Sequence, residues 1–181
     1  YPIGVGTAIS WTVGSSSDCC GGNQNVSSWT DVLLNLKEVL EHSGTVTLDI
    51  IDAPEIGPVS LQVRSENGYS FLSLGENLDG DYDVRIFNDG SNDVKPIVIL
   101  GDKWNSSSIC ADPEYVVKIF QEFFSIGNVS TNLLGLYYSV SQLDEVRGAG
   151  AMPLLGGEAP KPPVPHLSKN RYMLICMVKV G

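Results

Sequence analysis

The paired runs Val59–Arg64 and Tyr69–Leu74, joined through Glu66-Asn67-Gly68, restrict the fold of this chain more than any other segment. Both runs are rich in residues that suit a pleated, half-buried surface. Asn-Gly between them suits a tight turn, so the two runs are expected to lie side by side as antiparallel neighbours. Other strands then have to be found on either side of this hairpin.

Ala8–Val13 alternates and reads as a first strand that ends at Gly14, and Thr45–Ile51 reads as another. Tyr82–Asn88 and Lys95–Leu100 are expected to form a second hairpin through Asp89-Gly90 and a longer loop. Ser15–Ser28, made of Ser, Gly and Asn around Cys19-Cys20, reads as a polar loop. Two helices are predicted. Ser28 caps the first, with Asp31 in its first turn, and Trp29, Val32, Leu33, Leu36, Val39 and Leu40 share one face. Gly44 is expected to close it as a left-handed cap. Asp112-Pro113-Glu114 opens the second, Tyr115, Ile119, Phe120, Phe123 and Phe124 give it an aromatic face, and Gly127 ends it. Leu133–Tyr138 fits either a short helix or a strand.

Arg147–Lys169 is rich in Gly and Pro, and the apolar run Tyr172–Val180 reads as a strand returning to the sheet. Residues 147–169 are therefore expected to be an excursion from a single domain spanning 1–181. The expected class is α+β: an antiparallel sheet of five to seven strands packed with two main amphipathic helices.

A chain of 181 residues can bury one full core. Its net charge of −10 argues against direct nucleic-acid binding, which needs clustered Lys and Arg. No apolar run is long enough to span a bilayer. The start, Tyr1-Pro2-Ile3-Gly4, lacks the pattern of a signal peptide. Adjacent Cys19 and Cys20 do not suit a mutual bridge, Cys110 and Cys176 read as buried thiols, and a reducing compartment is expected. The three sequons at Asn25, Asn105 and Asn128 read as chance matches in an Asn- and Ser-rich chain.

The charge is concentrated in Glu76–Asp93, where six carboxylates face one cation, Arg85. Such a ribbon attracts a basic protein surface. Asp79, Asp81 and Asp83 alternate as in a calcium loop, but Val84 and Gly90 stand where that loop needs Gly and Glu. His42 and His166 lie away from any Cys or acid at metal spacing, so neither a zinc site nor a Ser-His-Asp machine is expected. No phosphate loop is present. No cofactor or metal is expected.

The segment order carries a resemblance. Ser28-Trp29 leads an amphipathic helix, followed by Thr45-Val46-Thr47-Leu48, a strand meeting Asn67-Gly68-Tyr69, and the acidic stretch. Gly101-Asp102-Lys103-Trp104 then precedes the helix opened by Asp112-Pro113-Glu114 and closed by Phe123-Phe124-Ser125-Ile126-Gly127-Asn128-Val129-Ser130. Over Trp29–Leu134 this resembles the immunity proteins of bacterial polymorphic toxin systems, which accompany contact-dependent growth inhibition and type VI effectors. The resemblance implies a small cytoplasmic protein that catalyses nothing and binds a cognate toxin, a nuclease before other classes, with a tRNA-cleaving ribonuclease ahead of a deaminase. It implies an acidic surface laid over the toxin's basic active site. Asp79, Asp81, Asp83, Asp89 and Asp93 are the candidate toxin-binding carboxylates, with Tyr82 and Trp104 as aromatic anchors. Two alternatives stay open: a hydrolase using two carboxylates, and a secreted carbohydrate- or protein-binding module, which a Cys110–Cys176 bridge would favour.

Overall fold

The Asn-Gly hairpin lies in the interior of the sheet, with neighbours on both sides. The computed structural model describes residues 6–14 and 19–135. In it the turn joins β4 (Gly57–Glu66) to β5 (Tyr69–Asn77), and Asn67 and Gly68 are both left-handed, with φ of 53° and 81°. β3 (Gly44–Ile50) pairs with β4, β1 (Thr7–Val13) with β3, and β2 (Cys20–Val26) with β1. On the other side β6 (Tyr82–Ile86) pairs with one half of β5, and the two-residue β9 (Ile109–Cys110) with the other half. All these pairings are antiparallel, which gives a seven-stranded sheet of order β2-β1-β3-β4-β5-β6 with β9 beside β5. The expected class, α+β with an antiparallel sheet of five to seven strands and two amphipathic helices, is the observed one.

Helix α1 (Trp29–His42) and helix α2 (Pro113–Ile126) cover one face. Their caps are those the sequence indicates. The Ser28 hydroxyl accepts the Thr30 N–H (3.1 Å), the Asp112 carboxylate accepts the Glu114 N–H (3.0 Å), and Gly127 ends α2 in the left-handed region. Alternate residues of the strands meet the helices. Ile9, Val46, Leu48, Leu61, Val63, Leu72 and Leu74 close a core with Val32, Leu36, Val39, Ile119, Phe120 and Phe123.

The other face is covered over part of its area by a separate hairpin, β7 (Pro96–Ile99) and β8 (Asp102–Asn105). A second, smaller core of Phe71, Val84, Ile86, Ile99, Trp104 and Ile109 lies there. The hairpin is held to β4 by an ion pair between Arg64 and Asp102 and by the Leu100 N–H donating to the Glu66 carboxylate (2.7 Å).

Three sequence expectations are corrected. Residues 20–26, expected in a polar loop, form strand β2. It is an edge strand exposed along most of its length, so its backbone bonds to β1 and not an apolar alternation hold it in place. Gly44 does not cap α1. Ser43 is the capping residue, at φ 69°, and Gly44 at φ 136° is the first residue of β3, pressed so close to the Thr12 carbonyl that a side chain would overlap it. Tyr82–Asn88 and Lys95–Leu100 do not pair with each other. β6 pairs with β5, and β7 turns through Leu100-Gly101, both at positive φ, to pair with β8.

The described residues belong to one compact unit. The expected 147–169 excursion, the strand at 171–180 and the second half of 133–138 lie outside the described residues.

Candidate functional site

The β5–β6 connection is a tight turn. The Leu78 N–H donates to the Asp81 carbonyl (2.8 Å) and the Asp81 N–H returns to the Leu78 carbonyl (3.3 Å), which leaves Asp79 and Asp81 exposed at its tip. Asp83, one strand residue further on, is partly buried, and its carboxylate accepts the Val84 N–H (2.8 Å). Tyr82 is also partly buried. Its ring lies over Gly75 on the neighbouring strand, in the space a side chain at position 75 would need. These four residues form one end of the sheet.

Asp89 and Asp93 are elsewhere. β6 separates Asp81 from the loop that carries them, roughly 17 Å of strand rise. That loop is tied to the segment after β8 by the Asp89 N–H donating to the Ser107 carbonyl (2.9 Å) and the Ser106 N–H to the Lys95 carbonyl (2.8 Å). The Asp89 carboxylate is held below the usual carboxylate range by Ser91, first through its side-chain hydroxyl and then through its backbone N–H, which donates to it (2.7 Å). Asp93 accepts the Lys95 N–H (3.2 Å). Both acids thus shape their own loop. The predicted acidic ribbon is divided in two.

Trp104 is corrected as a surface anchor. Expected in a loop, it lies in β8, is only 3% exposed, and stacks on Phe71 with ring centroids 3.7 Å apart. The lone cation of the ribbon also turns inward. Arg85 is 2% exposed and pairs with buried Glu76 at 3.0 Å. The same guanidinium also donates to the Val129 carbonyl (2.8 Å), the Asn128 side chain (2.9 Å) and the Leu134 carbonyl (3.3 Å). It contributes no exposed positive charge beside Asp79 and Asp81, and it fixes β6 to the segment that follows α2.

Sequence reasoning passed over the loop beside this turn. Residues 51–56 connect β3 to β4, and the Asn77 side-chain amide donates to the Pro54 carbonyl (3.0 Å), joining that loop to the end of β5. Asp52 and Glu55 are exposed in it. Asp49, at the end of β3, is half-buried, and its burial raises its pKa above the ordinary carboxylate range. A native state that holds this proton more tightly loses stability as pH rises from the ordinary carboxylate range through the raised native one. Asp49→Asn is therefore expected to raise the melting temperature at pH 7 and to change it little near pH 3, as thermal denaturation at the two pH values would read.

Other chemistry is sparse. Among the described residues no three His, Cys, Asp or Glu side chains gather closely enough to share a metal ion. No helix among them is long and apolar enough to cross a membrane. An open depression of about 550 Å³ lies along α2 between Lys118, Gln121, Glu122 and Leu133. Cys19 and Cys20 are exposed thiols, whereas Cys110 is buried, as expected, with its pKa raised by that burial. Cys176, its partner in the alternative bridge, lies outside the described residues.

No curated protein matches the chain in sequence. A crystal structure of a hypothetical protein from Neisseria gonorrhoeae is similar to it in fold, with a TM-score of 0.58 at 18% identity, over 66% of this chain and 86% of that one. A model of DUF6911, a family of unknown function, matches residues 10–133, from β1 to just past α2, and the chain belongs to that family.

Proposed function

We propose that this protein is an immunity protein: a cytoplasmic inhibitor that binds a cognate bacterial toxin and covers its basic active site, without catalysing a reaction or touching nucleic acid itself. The toxin class favoured by the resemblance is a nuclease, with a tRNA-cleaving ribonuclease first. The observation that carries the reading is the β5–β6 turn, where Asp79 and Asp81 are exposed and Asp83 partly so, on a sheet end whose neighbouring cation, Arg85, is buried and neutralised. A rigid row of carboxylates competes with substrate phosphates for Lys and Arg and speeds encounter with a cationic cleft.

The test uses the toxin domain encoded beside this chain's gene. Asp81→Lys with Asp83→Lys is expected to lower the association rate by about tenfold or more at low ionic strength and to weaken protection against the toxin. An unchanged rate in low salt would remove the electrostatic account.

A further inference from the structure

We propose that the docking face is the sheet end built jointly from loop 51–56 and the β5–β6 turn, with Ile51 and Ile56 as its apolar centre and a cationic protein surface as its occupant. This inference rests on the inhibitory reading above and adds to it the residues that would hold the partner in place.

Large apolar side chains left in water are the unusual feature here. Ile56 is 63% exposed and Ile51 is 39% exposed, both within one six-residue connection. Neither position is forced outward by a strand's alternation, since both stand just outside the ladder: Ile50 is the last residue paired in β3 and Gly57 the first in β4. The loop is fixed. The Ile51 N–H donates to the Gly6 carbonyl (2.8 Å) and Pro54 accepts from Asn77. Because Gly57 pairs with Asn77, Ile56 and Leu78 stand one residue beyond the same rung, and the acidic turn begins next to the isoleucine.

Charge selects the occupant. Segments 49–57 and 77–83 contain six carboxylates and no Lys, Arg or His. Another exposed apolar pair, Val94 and Val98, stands in a different setting, with Lys95 between them and Lys103 paired across from Val98. An apolar centre inside a charged rim is the ordinary anatomy of a protein–protein contact. Here the rim is of one sign, so the partner must present Lys and Arg around an apolar contact. A second copy of this acidic end would be repelled.

The experiment measures the affinity of the neighbouring toxin domain for the full chain, for Ile51→Ser/Ile56→Ser, and for Val94→Ser/Val98→Ser. Exposed positions of this kind leave the fold intact, and melting temperatures verify it. The first double variant is expected to bind roughly 10- to 100-fold more weakly, the second within about threefold of the parent. A loss confined to the Val94/Val98 variant, or no loss in either, overturns this face while leaving the inhibitory reading standing. If the parent itself does not bind the toxin domain, that reading falls. The face is then decided by titrating the ¹⁵N-labelled chain with a Lys/Arg-rich peptide carrying a central Leu. Shifts confined to 49–57 and 77–83 support it, and shifts elsewhere overturn it.

Discussion

Replacing Arg85 with Met is expected to destabilise the fold by about 3–5 kcal/mol, read from the urea midpoint at constant slope. Taking a charge out of water is unfavourable, and Arg85 is tolerated in the interior because Glu76 neutralises it and three acceptors from residues 128–134 bond to its guanidinium. Without the guanidinium, the Glu76 carboxylate stays buried at 4% exposure with its charge uncompensated. Removing both partners behaves differently. Glu76→Leu/Arg85→Met leaves no orphan charge, and its loss should be smaller than that of Arg85→Met alone. A double variant as unstable as the single one would mean that the lost hydrogen bonds to 128–134, and not the stranded carboxylate, dominate.

The second large effect belongs to the aromatic face of α2. Phe120 is fully buried between α1, α2 and the sheet, so Phe120→Ala should lose about 3–5 kcal/mol through lost apolar transfer and the cavity left behind. Leu34, on the outer side of α1 and 65% exposed, provides the contrast: Leu34→Ala should stay within about 0.5 kcal/mol. Chemical denaturation of the two variants side by side tests whether the core lies between the helices and the sheet.

What could be read in advance was whatever depends on neighbouring residues. Asn67-Gly68 specifies its turn locally, Ser28 and Asp112 cap helices that begin beside them, and Gly127 needs only its own left-handed conformation. What could not be read depends on distant partners or on atypical residues. β2 has no apolar alternation because an edge strand gains its order from backbone bonds to β1. Leu100 takes a left-handed turn position at φ 50° that Leu rarely adopts, so the β7–β8 hairpin carried only half of its usual signal, at Gly101. Trp104 beside a Gly-Asp-Lys run read as exposed, and only the position of Phe71 on another strand makes it a core residue.

The candidate site was legible to the same degree. Asp79, Asp81 and Asp83 do share an end of the sheet, since a tight turn keeps sequence neighbours together. Asp89 and Asp93 left the group because β6 carries the chain away from that end. Asp52, Glu55 and the two isoleucines lie beside it because β3 ends and β4 begins where β5 turns. That coincidence of strand ends depends on the register of the ladder, and no local motif announces it.

The amide bridge from Asn77 to Pro54 has one more consequence. It fastens two connections that would otherwise fluctuate independently, and each already leaves the sheet from a fixed rung. Little backbone freedom is left for a visiting molecule to freeze out, so most of the ordering entropy is lost during folding and not at contact. Recognition at this end would then need little reshaping of these two connections.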